Sequence, residues 1–306
     1  MNPILIRHLY GSARRNRFFW LLSLYLLGIG LLALFFVAIA AVPIFTQEAT
    51  ISMLNLFTGG RMLYWFSGVV LILTAALLVP IAALGALSGE RENRTLDVLK
   101  MTTLPARSIV RGKLASALLT GAIYVLAPLP LLMTGFWLGG VTTDELILTL
   151  LFLILTMGVS IAWALFLSSL VRKTITAVLL FYGLTFASMP VILILSTAVA
   201  GIAEAWKYST SFGLQPLWIE TLIQYGWVIL SGLHPITAAS VTEALGMQQG
   251  SWFLLDFTVE RYNLSGAGTS TFLGTVTLPS PWITYAIFTI IATCLLYTSP
   301  SPRDRS

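Results

Sequence analysis

Six long apolar runs dominate the chain, and more polar segments of very different lengths separate them. Each run has about the 20 apolar residues that a helix needs to cross a hydrocarbon layer roughly 30 Å thick. Leu, Ile, Phe and Val each favour insertion at mid-membrane by about 0.3–0.6 kcal/mol. The pattern therefore predicts an all-α, polytopic membrane protein with about six transmembrane helices. The predicted spans are residues 18–42, 62–87, 114–137, 146–170, 175–199 and 281–296.

The composition of the chain agrees with this pattern. Of its 306 residues, 57% are hydrophobic and only 9% are charged, whereas about 25% are charged in an ordinary soluble domain. The single cysteine, Cys294, excludes an internal disulfide framework. We therefore expect an integral membrane protein and exclude a soluble domain.

Lysine and arginine residues lie mainly on one side of the six predicted spans. Twelve of them fall in the N-terminal segment, the loop between spans two and three, and the turn between spans four and five. Apart from those after the last span, only Arg61, Lys207 and Arg261 fall on the other side. Because basic residues are enriched in cytoplasmic segments, the N-terminus and these two connections are predicted to be cytoplasmic.

Two segments outside the runs have less regular patterns. Residues 2–17 place apolar side chains at helical spacing among arginines, which predicts a short interfacial helix; the alternative is a basic tail that only sets topology. Residues 201–280 are predicted to be a large external region on the outer leaflet. Within it, Glu220 and Gln224 lie one helical turn apart, so residues 216–233 could be re-entrant, interfacial or a seventh span.

We interpret the last residues of the chain as having a different origin from the rest of the protein. From Cys294 to Asp304, the sequence resembles the translation of a transposon-end sequencing adapter. A chance match over that many consecutive positions has a very low probability. We therefore predict that residues 294–306 are a non-native tail and that the native C-terminus is missing. The alternative is an ordinary basic tail rich in serine and proline.

Few residues in the chain could carry out chemistry. It lacks the sequence patterns of zinc proteases, paired-cysteine metal sites and serine hydrolases. Gly112-Lys113 is its only Gly-Lys pair, but Leu114 follows it and Arg107 stands where a Walker A loop has glycine. No Asp, Glu, Lys, Arg or His lies inside a predicted span, which argues against an ion-driven carrier. We therefore predict no catalytic, metal or cofactor site and no enzyme activity in this chain.

Ser88–Lys113 is the most informative segment, because its nine charged residues require an aqueous position. Ser88 is predicted to cap a helix whose first turn holds Glu90 and Glu92. Leu96 and Leu99 would share one face of this helix. Exposed leucines among charges of both signs favour a docking element for a cytoplasmic partner over a solvated face.

Four short motifs follow one another in this segment: Gly89-Glu90-Arg91-Glu92, Thr95-Leu96-Asp97-Val98-Leu99, Thr103-Leu104-Pro105 and Ile109-Val110-Arg111-Gly112-Lys113. Together they resemble the first cytoplasmic loop of ABC transporter permeases of the type-two class. The family often has a glycine where Asn93-Arg94 stands, and here Leu104 intervenes before Pro105. The resemblance covers the whole chain in topology but is specific only over residues 89–113.

The resemblance implies a permease subunit of an ATP-driven ABC exporter, with residues 1–293 as one transmembrane permease domain. It also implies an N-terminal elbow helix, a cytoplasmic coupling helix, and a second permease subunit in a homo- or heterodimer. A separate cytoplasmic ABC ATPase would bind ATP and Mg. The residues expected to contact that ATPase are Gly89, Glu90, Arg91, Glu92, Arg94, Thr95, Leu96, Asp97 and Leu99.

The expected location is a bacterial or archaeal cytoplasmic membrane. Membrane lipid is expected as a further partner, and nucleic acid is not. Two other functions fit the residues themselves. One is a non-transporting membrane assembly or docking protein, and the other is an ATP-independent channel or carrier. The sequence does not reveal the substrate, because no predicted span carries a charge that would select one.

Overall fold

A computed structural model describes residues 16–46, 53–93, 106–208, 217–262 and 270–298 of the chain. Thr74–Leu78 form a turn of π-helix, and strands β1 (Leu254–Tyr262) and β2 (Ser270–Pro279) pair with each other. The α-helices are α1 (Asn16–Thr46), α2 (Met53–Leu73), α3 (Pro80–Glu92), α4 (Ala106–Leu126), α5 (Leu129–Trp137), α6 (Thr143–Leu170), α7 (Thr174–Tyr208), α8 (Leu217–Ser231), α9 (Pro235–Gln249) and α10 (Pro281–Thr298).

Long apolar helices make up most of this structure. Among the described residues, four stretches are long and apolar enough to cross a membrane. These are Gly59–Glu92, Arg111–Trp137, Thr143–Leu170 and Thr174–Ile202. The helices α1 and α10 contain shorter apolar stretches, Leu22–Phe35 and Pro281–Cys294. The prediction of an all-α, polytopic membrane protein is confirmed; the departure from it is the β1–β2 hairpin.

The chain divides into two compact units, residues 1–182 with 296–306, and residues 183–295. In the first unit, α3 packs against α4 and α6, and α2 packs against α5. A Cβ atom on Gly135 of α5 would lie 2.8 Å from the Cα atom of Tyr64 in α2. Small residues let helix backbones approach closely in membranes, where apolar burial alone gives little association. Gly135 therefore permits the contact between α2 and α5.

The second predicted span is interrupted by the π-helical turn Thr74–Leu78, just before Pro80. Pro80 has no N–H, so it cannot donate to the carbonyl of Ala75, five residues earlier, as π-helical spacing would require. The Oγ atom of Ser160 in α6 donates to that carbonyl instead, at 2.7 Å. A hydroxyl from a neighbouring helix thus compensates for the proline, as is typical of membrane helices.

A buried ion pair joins α2 to the start of α6. The Nη2 atom of Arg61 lies 3.2 Å from Oε1 of Glu145, whose side chain is 2% exposed, compared with 33% for Arg61. Glu145 also completes a capping box with Thr142, in which each side chain accepts a hydrogen bond from the other residue's backbone N–H. Sequence analysis places both charged residues at the membrane edge, but the structure encloses the carboxylate in protein.

The second unit contains the helices α8 and α9 and the β1–β2 hairpin. The strands are antiparallel, and Leu255 pairs with Leu278 in a fully buried position. A Cβ atom on Gly246 of α9 would lie 2.3 Å from the ring of Trp252, so α9 packs directly against the residues before β1. Among the described residues, α8 contains the apolar stretch Thr221–Ser231.

His234 caps the N-terminus of α9 inside this unit. Its Nδ1 atom accepts a hydrogen bond from the N–H of Ile236 at 3.3 Å, which only the imidazole with an unprotonated Nδ1 can do. The residue is 5% exposed. Burial lowers the pKa of His234 below its ordinary value, because a charged imidazolium would lose its hydration.

We therefore expect acid to destabilise the fold through His234. The unfolded chain binds a proton at this residue below about pH 6.5, whereas the folded chain binds it only at lower pH. The stabilisation is fully present above about pH 6.5 and is lost as the pH falls towards the lowered pKa. Thermal unfolding in detergent measures this effect. On acidification the melting temperature should fall more for wild type than for His234→Asn, which keeps a capping acceptor but does not titrate. Equal falls would contradict the assignment.

Candidate functional site

The Gly-Glu-Arg-Glu motif forms the last turn of α3. Gly89, Glu90, Arg91 and Glu92 are helical, and the N–H of Asn93 donates to the carbonyl of Gly89 at 3.0 Å, where the helix ends. The other residues predicted to contact an ATPase lie outside the described residues. These are Arg94, Thr95, Leu96, Asp97 and Leu99.

Glu90 pairs with a buried lysine of the next helix. Its Oε2 atom lies 2.7 Å from Nζ of Lys113, whose side chain is 2% exposed. Nζ of Lys113 also donates to the carbonyl of Ala86, one turn earlier in α3. An ammonium group withdrawn from water is stable only when it is paired and hydrogen-bonded. Both contacts with α3 are therefore needed to keep Lys113 buried, and they join the end of α3 to α4.

Arg91 and Glu92 contact the turn between α6 and α7. Nη1 of Arg91 donates to the carbonyl of Val171, the residue after α6, at 3.3 Å. Oε2 of Glu92 accepts from the N–H of Thr174 at 3.3 Å and from its Oγ1 hydroxyl at 3.0 Å. Thr174 begins α7, so the carboxylate satisfies an N–H group that has no partner within the helix and lies near the positive end of the helix dipole. The last turn of α3 is thus tied to both helices that flank the turn.

The structure corrects the predicted role of Ser88. We expected Ser88 to begin a new helix, but α3 continues unbroken from Pro80 to Glu92, and Ser88 is fully buried within it. Its Oγ atom donates to the carbonyl of Leu84 at 2.8 Å, and its N–H donates to Oγ of Ser168 in α6 at 3.0 Å. Ser88 is therefore a contact between α3 and α6, and the helix that contains the end of the second predicted span continues to Glu92.

Sequence reasoning did not assign Lys113 and Thr174 to this site. Lys113 carried a signal, because it belongs to the Gly-Lys pair of the resemblance, but its charge predicted an aqueous position. Thr174 follows two basic residues in a short turn, and nothing in the sequence connects it with Glu92, 82 residues earlier. The contacts that hold the motif in place therefore required the structure.

Comparison with known proteins gives one match that covers most of the chain. The profile of the ABC-2 family transporter proteins matches residues 7–257, which include α3, α4, α6 and the turn before α7. No curated protein and no solved structure matches the chain. The apolar helices and this match lead to the same conclusion. The chain belongs to the ABC-2 transporter family and is an integral membrane permease of the ABC type.

Proposed function

We propose that the chain is the permease subunit of an ATP-driven exporter, which couples ATP hydrolysis by a separate ATPase to movement of a substrate across the membrane. The anchored last turn of α3 carries this proposal. Glu90, Arg91 and Glu92 attach it to three other elements of the fold, and the chain then enters residues 94–105, which include Arg94, Asp97 and Lys100. A segment that docks a partner can pass force to the membrane helices only if the residues that connect it to those helices are held in place. Membership of the ABC-2 family supports the proposal.

The ATPase would dock on the segment Arg94–Leu99, which follows the anchored turn. In this proposal Thr95, Leu96 and Leu99 form the direct contact, because exposed leucines can fill an apolar groove on a partner. ATP and Mg are bound by the ATPase, and a second permease subunit completes the translocation path. The expected partner-binding residues divide at Asn93: Arg94, Thr95, Leu96, Asp97 and Leu99 are proposed to reach the ATPase, whereas Gly89, Glu90, Arg91 and Glu92 form the anchored turn before them.

Purification of the tagged chain from cells that also express a neighbouring ABC ATPase gene tests this function. We expect the ATPase to co-purify with the chain, and ATP hydrolysis by the complex to exceed that of the ATPase alone. A stably inserted chain that binds no ATPase would indicate an assembly or docking protein instead. Substrate movement without any ATPase would indicate a channel or carrier.

We also propose that residues 89–113 are cytoplasmic and residues 201–280 are external, as the basic residues indicate. The exposed residues Asn93 and Gln248 are suitable labelling positions. Each would be replaced by cysteine after Cys294→Ser and treated with a membrane-impermeant thiol reagent in intact spheroplasts. We expect Gln248→Cys to react at once and Asn93→Cys to react only after permeabilisation. Equal labelling, or the reverse order, would contradict this topology.

A further inference from the structure

Three consecutive charged residues at the end of α3 each contact a different element of the fold. Glu90 contacts α4 through Lys113. Arg91 contacts the carbonyl of Val171 at the end of α6, and Glu92 contacts Thr174 at the start of α7. On a helical turn, three successive side chains point in directions about 100° apart. Such a turn can engage three partners only if it lies among all of them.

We infer that Glu90, Arg91 and Glu92 are positioning residues that transmit movement of the docking segment to α4, α6 and α7, and that they do not themselves hold the ATPase. This inference rests on the proposed function and specifies how its coupling works. Direct contact with the ATPase falls to the residues beyond Asn93. The charges of the motif act within the permease.

The pair Glu90–Lys113 gives the first part of this transmission. It bridges the two ends of the charged segment, since Glu90 precedes residues 94–105 and Lys113 follows them. Lys113 is 2% exposed, so water screens the attraction much less than at the surface. A displacement of the segment therefore reaches α3 and α4 together.

The contact Glu92–Thr174 gives the second part. The carboxylate accepts both the N–H and the hydroxyl of Thr174, which fixes its direction as well as its distance. Arg91 holds the same turn through the Val171 carbonyl. In this inference, a movement of the end of α3 passes to the start of α7 through these hydrogen bonds. Glu92 is exposed, so its replacement removes this contact without opening a cavity in the core.

The test compares Glu92→Ala and Thr174→Val with Asp144→Ala, in the complete complex with its ATPase in lipid nanodiscs. Asp144 is a matched control, because it is an exposed carboxylate in the first turn of α6. The variables are the ATPase bound per permease and the kcat and KM for ATP. We expect Glu92→Ala and Thr174→Val to lower kcat by about two- to tenfold, the range that one lost hydrogen bond gives. Bound ATPase and KM should stay at wild-type values, and the control should not change.

Charge exchange tests the other contact. Glu90→Lys and Lys113→Glu should each lower kcat, and the two together should restore part of it, because the pair is re-formed with opposite polarity. Wild-type kcat in both Glu92→Ala and Thr174→Val would overturn the inference, as would loss of bound ATPase in Glu92→Ala or an equal fall in the Asp144→Ala control. A wild-type chain that binds no ATPase would overturn the proposed function itself, and the inference with it.

Discussion

Replacement of Leu96 and Leu99 together by aspartate should remove most of the binding between the permease and its ATPase. Full burial of a leucine side chain contributes roughly 1.5–3 kcal/mol, so the pair contributes about 3–6 kcal/mol. Because about 1.4 kcal/mol corresponds to a factor of ten, the dissociation constant should rise by about two to four orders of magnitude. The unpaired charges left at the interface would raise it further. Titration of the ATPase onto nanodisc-embedded permease measures this change.

The matched control for this experiment is Leu96→Met with Leu99→Met. Methionine has a similar apolar volume, so binding should stay close to wild type. Membrane insertion should be the same for both variants, because Leu96 and Leu99 lie between the predicted spans, among the charged residues Arg94, Asp97 and Lys100. Wild-type affinity in the inserted aspartate variant would show that the segment is only a solvated surface.

The second large effect is expected at the ion pair between α2 and α6. Arg61→Met leaves the carboxylate of Glu145 buried without its cation. Breaking a buried pair costs 3–5 kcal/mol, and we expect about 3 kcal/mol here because Arg61 itself is partly exposed. The hydroxyl of Tyr64 donates to the backbone carbonyl of Glu145, so a shift of Glu145 would weaken that hydrogen bond as well. Equilibrium unfolding of wild type and variant in mixed micelles measures this difference in the free energy of unfolding.

Two further variants distinguish the charge from the rest of the arginine. Adding Glu145→Gln to Arg61→Met should recover part of the loss, because no uncompensated charge remains and the amide oxygen can still accept the Thr142 N–H. Arg172→Met, at an exposed position, should change the free energy of unfolding by less than about 0.5 kcal/mol. A loss in Arg61→Met no larger than in Arg172→Met would mean that the pair contributes nothing.

The helices could be predicted from the sequence because length and apolar composition are the main requirements for a membrane span. The start of α6 illustrates how precisely a helix boundary can be predicted. Its apolar run begins at residue 146, whereas the helix begins at Thr143, because Thr142 and Glu145 form a capping box. That extension was readable, since a threonine followed three residues later by glutamate is the signature of this cap. Local chemistry of this kind can be predicted without a structure.

The contacts between distant segments could not be predicted. Hydropathy treats every charge near a span end as aqueous, so it could not show that Lys113 meets Glu90 or that Thr174 meets Glu92. The β1–β2 hairpin was missed for another reason. Apolar residues are so common throughout this chain that the alternation of apolar and polar residues along the two strands stands out weakly. The residues that connect the two strands, 263–269, fall outside the described residues.

The π-helical turn Thr74–Leu78 determines which way the end of the second span faces. It holds one residue more than the α-helical turn it replaces, and each residue turns a helix by about 100°. Everything beyond it, including Gly89–Glu92, is therefore rotated by about that angle compared with an uninterrupted helix. Glu90 and Glu92 point at Lys113 and Thr174 only because the helix beyond the π-helical turn has this rotation about its axis. Deletion of a single residue such as Ala76 would turn them away, so the direction of the motif depends on the number of residues in the span as well as on their identity.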